Sequence, residues 1–391
     1  MLSKIMRSRV VVTAMSCAAL ALSSSMGLVD ADELCSVVPY TYGGAMSSYP
    51  QLSTALSTLE NYAIASWFTD RITSQDRANL MSRMLSQCPD ESRLSIVVYG
   101  IPNKDCSGGF SSSGSVTSSA AYQAFLKELT DAVGDHKVLY VVEPDAVGLL
   151  AKDGGCGGPA GYLENLKIAA NALSVNTNAQ LYLDVGYWML ADATSASKVA
   201  TVMQEIGSAG RVKGVTINTS NFRSNEECAG YCSTFQAAMG SDDMHCIVDT
   251  SRNYNGSPTT DWCNIPTAGI GKPPTSNTGF ANLDYFMWIK PPGESDGYCW
   301  GGVGYAKDRR DRGTYISSDI RTNFSTNLST NFSTNLSTNF STDVCTYIGS
   351  DCGSGSSTDA GANIRAGDLH ARHHRPNHGT SACRAKKRMR S

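Results

Sequence analysis

Short runs of β-branched and aromatic residues alternate along the chain with longer stretches whose apolar positions recur every three to four residues. The apolar runs are Tyr62–Phe68, Leu94–Tyr99, Val138–Val142, Leu181–Leu183, Val212–Ile217, Cys246–Val248 and Tyr285–Ile289. Helical patterns lie between them at about 74–87, 118–133, 159–174, 195–209 and 226–239. Strands covered on both faces read as unbroken apolar runs, and a parallel pair needs a crossover long enough to hold a helix. The alternation therefore predicts parallel βαβ units across residues 32–316, arranged as a barrel or a large open sheet. What ends each run is as informative as the run itself. Leu94–Tyr99 leads into Asp105, Val138–Val142 into Glu143-Pro144-Asp145, Leu181–Leu183 into Asp184, Val212–Ile217 into Asn218, Cys246–Val248 into Asp249 and Tyr285–Ile289 into Lys290. One such residue is by itself an ordinary helix cap or a solvated loop residue. In a parallel barrel the C-terminal strand ends share one mouth, so polar residues at successive ends converge on one site.

Both flanks depart from this pattern. Lys4, Arg7 and Arg9 precede a short apolar run, Val10–Leu22, and Val29-Asp30-Ala31 resembles a small-residue cleavage site, so residues 1–31 read as an export signal. From Thr322 to Thr342 an eight-residue unit, Thr-Asn-Phe-Ser-Thr-Asn-Leu-Ser, repeats without a burial pattern. Asn323, Asn327, Asn331, Asn335 and Asn339 each head an Asn-X-Ser sequon. Residues 317–391 are thus expected to be a low-complexity tail, either a glycosylated stalk or a bare linker, ending in a basic stretch that contains His370, His373, His374 and His378.

Charge narrows the partners. The 391 residues sum to −3, but residues 32–364 hold 21 basic and 33 acidic side chains, a net of −12, which excludes a phosphate-gripping surface as the main business. No segment has about 18 uncharged apolar residues, so no membrane span is expected. Of 13 cysteines, one (Cys17) falls in the signal, and the 12 that remain are expected to form disulfides outside the cell.

The chemistry follows by elimination. Only His136 and His245 lie outside the tail, which argues against a His-based triad or a His-rich metal site. No dinucleotide fingerprint follows the first strand and no P-loop is present, so neither a metal nor a cofactor is expected. Carboxylates and the aromatics Trp67, Trp188, Trp262 and Trp288 remain. Paired carboxylates with flat rings suit glycoside hydrolysis, although Trp288, inside an apolar strand, reads as core.

The motifs Val-Val-Tyr99-Gly-Ile-Pro-Asn-Lys-Asp105-Cys106, Val-Glu-Pro-Asp145, Tyr-Leu-Asp184, Asp261-Trp262-Cys263-Asn264 and Trp-Ile-Lys290-Pro-Pro-Gly-Glu294-Ser-Asp296-Gly297 come in the order found in glycoside hydrolase family 6, which this chain resembles over roughly residues 60–300. The resemblance implies an α/β fold, a distorted seven-stranded parallel barrel that cleaves β-1,4-glucan with inversion, and a monomer. It implies Asp145 as general acid, Asp105 as the aspartate that keeps it protonated, and Asp296 as the proposed general base, acting directly or through a water chain that includes Ser111. Tyr99 corresponds to the tyrosine that presses on the reacting sugar. Trp67 and Trp262 correspond to stacking platforms, Asn221, Lys290 and Glu294 to sugar-binding residues, and Asp184 to a carboxylate near the scissile bond. Tyr187 takes the position of a histidine, with Trp188 as a shifted platform. The resemblance also implies the disulfides Cys106–Cys156 and Cys263–Cys299, and the domain layout makes Cys35–Cys88 a further pair. Cys228, Cys232, Cys246, Cys345, Cys352 and Cys383 stay unassigned.

Departures from the pattern are Gly100 for the usual aspartate, Lys104 for the usual arginine, and the charged Arg309-Arg310-Asp311-Arg312 where a closing helix is expected. The leading expectation is a secreted endoglucanase. Its rivals are a cellobiohydrolase of the same family, a catalytically impaired glucan-binding surface protein, and a structural glycoprotein.

Overall fold

The computed structural model describes residues 33–296. The segment expected to be a signal, Cys299, the region expected to close the barrel, the repeat and the basic tail lie outside the described residues.

Eight strands and eight helices follow one another in the described chain. They are β1 (Leu34–Cys35), α1 (Tyr40–Ser48), α2 (Ser53–Leu59), β2 (Ser66–Thr69), α3 (Ser74–Gln87), β3 (Arg93–Tyr99), α4 (Ser119–Val133), β4 (Val138–Val142), α5 (Ala146–Ala151), α6 (Tyr162–Leu173), β5 (Ala179–Asp184), α7 (Ala193–Gly207), β6 (Gly214–Ile217), α8 (Asn225–Met239), β7 (His245–Asp249) and β8 (Leu283–Met287). Short 3-10 turns form at Pro50–Leu52 and Trp188–Leu190. Every strand pair is parallel. Neighbours run from β3 through β4, β5, β6 and β7 to β8, while β1 and β2 share the other edge of β3 end to end. The ring closes through one bridge, Ile64 to Trp288, in which the Ala65 N–H donates to the Trp288 carbonyl at 2.9 Å. Strands β2 to β8 thus make the distorted seven-stranded barrel expected from the sequence.

The unbroken apolar runs are explained by their two faces. In β4, Leu139 and Val141 point into the barrel with Val97, Tyr182, Ile247 and Met287. Val138, Tyr140 and Val142 point out, against the helical layer. Polar caps set several helix starts: Thr73, Ser118 and Asp192 each accept from a backbone N–H in the first turn, and Ser224 and Glu227 form a reciprocal capping box.

The sequence pattern missed β1, α1, α2 and α5, and the strand expected from Tyr62 begins at Ser66. Helix α1, Tyr-Thr-Tyr-Gly-Gly-Ala-Met-Ser-Ser, has adjacent glycines and little intrinsic propensity. Tertiary contacts hold it instead. Tyr42 donates its hydroxyl to the Pro292 carbonyl at 2.9 Å, and Leu56 and Leu59 of α2 pack with it around Trp288, which is core as expected. The disulfides Cys35–Cys88 and Cys106–Cys156 are formed, and a third joins Cys232 to Cys246. Cys263 is also disulfide-bonded. Cys228 is the free cysteine among the described residues and is buried.

Candidate active site

The segments leaving the strand ends are where the backbone departs from ordinary geometry. Asn103, Asp105, Glu143, Asp145, Asn218, Ser220 and Asn264 all have positive φ, between 43° and 73°. Asparagine and aspartate tolerate the left-handed region better than other residues with a Cβ, but a glutamate such as Glu143 needs its surroundings to hold it there.

Three fully buried carboxylates do that work around the rim. Glu143, at the end of β4, accepts the Gly100 N–H on both oxygens at 3.0 and 3.1 Å and the Tyr122 hydroxyl at 2.7 Å, and so ties the end of β3 to that of β4. Asp184, at the end of β5, accepts the Asp145 N–H at 2.9 Å and the Gly186 N–H at 3.0 Å on one oxygen, and the Thr219 hydroxyl on the other. Asp249, at the end of β7, accepts from Ser220 on the β6 side and from Ile289 and Lys290 on the β8 side, at 2.9 to 3.2 Å. Burial pushes all three carboxyls up against these donors, Glu143 to about 7 and Asp184 to about 6.

Asp145 stands on this rim. It is left-handed, opens α5, and is held through its N–H by Asp184. Burial raises its pKa well above the usual range, and the neighbouring charges of Asp184 and Asp105 raise it further. Asp105 is held inside its own loop: one oxygen accepts the Gly108 N–H at 3.1 Å and the other the Ser111 N–H at 2.6 Å. Tyr99, at the end of β3, feels both carboxylates. Burial raises its pKa first, then Asp145 and Asp105. Trp67 meets Tyr99 edge-on at 5.5 Å between centroids and donates its indole N–H to the Ile289 carbonyl at 2.8 Å. Trp262 is 45% exposed, and its ring lies 5.6 Å from that of Phe110 on the Asp105 loop, across the mouth.

Asp296 sits in a different field. Its carboxylate takes Arg252 at 2.8 Å, Lys290 at 3.1 Å and the Asn264 N–H at 2.9 Å, while its own N–H donates to the Asn264 side chain at 2.8 Å. Burial alone would raise its pKa, but Lys290 and Arg252 outweigh burial and hold it down at about 2. Glu294 lies next to this group and accepts the Thr41 hydroxyl at 2.6 Å.

On the other side of the mouth the geometry differs from the expectation. Asp184 is fully buried with its oxygens taken, so it supports Asp145 and does not face the cleft. Tyr187 is 9% exposed, stacked on Tyr231 with Arg223 over its ring at 5.1 Å, which leaves little surface for a sugar. Trp188 packs against Gly148 of α5 and against Gly186, where any added Cβ would come within 2.4 to 3.0 Å of the indole. It is a wedge behind Asp145 more than a free platform. Asn221 donates its amide to the Thr219 carbonyl at 2.9 Å and is partly exposed.

The sequence model of glycosyl hydrolases family 6 matches residues 41–318. The chain belongs to this family. Its relatives include Endoglucanase A of Thermobispora bispora, 29% identical over 59% of this chain and 50% of that protein, and Endoglucanase 1 of Streptomyces sp. (strain KSM-9), 33% identical over 61% and 65%. The chain thus spans between half and two thirds of the length of these relatives. In fold it is similar to cellobiohydrolase II from Humicola insolens, solved with glucose and cellotetraose, with a TM-score of 0.63 and 21% identity over 75% of this chain and 96% of that one.

Against the family 6 pattern, the two departures before Asp105 have local causes. A Cβ at Gly100 would fall 2.5 Å from the Phe125 ring, so the usual aspartate has no room beside that phenylalanine. Lys104 forms a buried ion pair at 2.7 Å with Asp70. The sequence carries no motif that marks a site role for Arg252, Thr219 or Phe110, while Glu143 and Asn264 stand there only as members of motifs. Arg252 follows Asp249 closely enough to suggest a place on the rim, but nothing in the sequence ties it to Asp296.

The buried Glu143 makes stability depend on pH. In the folded chain it keeps its proton up to about pH 7, whereas an unfolded glutamate loses it near 4.5. The native state therefore holds the extra proton between those values and loses stability as pH rises through them. Asp184, at about 6, acts with the same sign. Glu143→Gln should flatten the decline between pH 4.5 and 7 by on the order of 3 kcal/mol in urea unfolding. Equal slopes in the two proteins would show that Glu143 does not titrate in the native state.

Proposed function

We propose that this chain is a secreted endo-β-1,4-glucanase that hydrolyses cellulose or a related β-glucan with inversion, using Asp145 as general acid. The observation that carries the reading is Asp145 itself, a carboxyl fixed at a strand end by Asp184, with Asp105 near enough to raise its pKa. A carboxyl whose pKa is raised in this way holds its proton more firmly and can deliver it to a glycosidic oxygen as the bond breaks. Tyr99 and Trp67 lie beside this pair, and Trp262 offers an open face on which a sugar ring can stack. The endoglucanase relatives, and the cellobiohydrolase fold neighbour solved with cellotetraose, support a glucan as substrate. The basic and apolar N-terminal segment supports export.

The proton of the attacking water needs an acceptor. A carboxylate held near 2 by two cations is a weak one, so the electrostatics favour a role for Asp296 in orienting charge and solvent. Asp105, whose two oxygens meet the Gly108 and Ser111 N–H groups in an exposed loop, is the better placed acceptor through water.

Asp145→Ala should abolish hydrolysis of unactivated glucan while binding persists, with a loss of roughly 10²–10⁴-fold from the missing protonation. An aryl cellobioside with a very good leaving group should lose far less. Equal losses on both substrates would remove Asp145 from the role of acid.

Inversion predicts the α-anomer as the first product from a β-linkage. Proton NMR of fresh hydrolysate reads the anomer before mutarotation, and an initial β-anomer would overturn the mechanism.

The endo mode rests on spacing. Exo-acting members of this fold roof the cleft with long loops, one of them between the Gly-Glu-X-Asp-Gly motif and the following cysteine. Here Gly297 is followed by Tyr298 and Cys299, too short a segment for half a roof. Carboxymethylcellulose viscosity should therefore collapse while reducing ends are still few. A slow decline with cellobiose as the main early product would favour the cellobiohydrolase reading.

A further inference from the structure

Asp70 follows β2 directly, its side chain fully buried. One oxygen lies 2.7 Å from the Lys104 ammonium, itself 2% exposed, and the other accepts the Val116 N–H at 2.8 Å. Its main-chain carbonyl accepts the Ser115 N–H at 3.2 Å. A Cβ on Gly114 would lie 2.0 Å from the same carboxylate, so the chain passes too close for any side chain. A single carboxylate thus grips the residue just before Asp105 and, again, the stretch Gly114–Val116. Between the two grips runs the loop that carries Asp105, Phe110 and Ser111. Its near end is also tied by the Cys106–Cys156 disulfide and by the Cys106 N–H to the Tyr162 hydroxyl at 3.4 Å. The far end depends on Asp70, and the far end sets where the Ser111 N–H meets Asp105.

We propose that Asp70, paired with Lys104, is a positioning residue that holds Asp105 at the distance from Asp145 where its charge keeps the acid protonated. The inference rests on the reading of Asp145 as acid and Asp105 as its partner. Asp70 touches neither substrate nor acid. It acts by closing the loop, and the Lys104 ammonium both balances its buried charge and lies over the Tyr99 ring at 5.9 Å.

Removing one partner would leave the other as an uncompensated buried charge, so the test removes both. In D70N/K104M, backbone amide exchange across residues 105–116 should quicken. On unactivated glucan kcat should fall on the order of 10²-fold with KM little changed. The basic limb of the pH profile should move to lower pH, because Asp145 loses part of the field of Asp105. Activity on an activated aryl glycoside should be spared. K104R, which restores the family's usual residue and the charge, should behave as wild type. If the double variant does not fold, Gly114→Ala disturbs the same grip from the exposed side, keeps both charged side chains, and should shift the limb in the same direction. A folded variant with wild-type exchange and an unmoved basic limb would overturn the proposal. So would faster exchange with an unmoved limb, since the clamp would then be structural only. Asp105→Asn is the control: if it leaves the limb in place, the reading of Asp105 fails, and this inference fails with it.

Discussion

The mouth of this barrel depends on one recurring interaction, a buried carboxylate at a strand end that accepts backbone N–H groups from the loop of a neighbouring strand. Glu143 reaches back to Gly100, Asp184 to Asp145, and Asp249 to Ser220 on one side and to Lys290 on the other. Parallel strands end with unpaired backbone donors, and a barrel closed by one bridge has little else to keep its ends in register. The lashings supply that order, and they make left-handed turns tolerable at Glu143 and Asp145. The cost is desolvation of three carboxylates, which appears as raised pKa values. Stability and site geometry are therefore not separable here. The groups that hold the strand ends together also fix the backbone that carries Asp145.

This explains what could be read from the sequence and what could not. All five expected helices and all seven expected strands form, because their burial patterns are periodic and local. The expected endings at Asp105, Asp145, Asp184, Asp249 and Lys290 do gather at one mouth. What the residue pattern cannot show is which of these polar groups face the cleft and which serve the backbone. Asp184 and Asp145 follow strands in the same way, yet one is fully buried beneath the other. Tyr187 and Trp188 likewise carry the look of a sugar platform but pack against Arg223, Tyr231, Gly148 of α5 and Gly186. Arg252 and Asp70 were silent because their partners lie 44 and 34 positions away in the sequence. No periodicity carries pairings of that span.

Two departures from the family pattern, Gly100 and Lys104, fall at the same mouth, one with a steric setting and one with an electrostatic setting. Gly100 leaves its N–H to Glu143 and its space to Phe125. Lys104 faces Asp70 and lies over Tyr99. An aspartate at position 100 would bring another carboxylate beside Glu143, which already sits among Tyr122 and backbone donors without an ion-pair partner of its own. The glycine leaves Glu143 as the one carboxyl of that pocket, and the neighbouring lysine pairs with Asp70.

One mouth holds two carboxyls in opposite electrostatic settings. Burial pushes Asp145 and Asp296 in the same direction, so burial cannot separate them. Their neighbours do. Asp145 has carboxylates beside it, Asp184 below and Asp105 to the side, and each disfavours a further negative charge. Asp296 has Arg252 and Lys290, and their combined field overcomes its desolvation and carries it to about 2. On the proposed reading this split allots the roles: one carboxyl retains a proton to give, and the other stays ionised at any working pH. The split is built into the scaffold, since Asp184 arrives with β5, Arg252 with the turn after β7 and Lys290 with the end of β8. Moving either carboxyl by one strand would exchange its neighbours, and with them its chemistry.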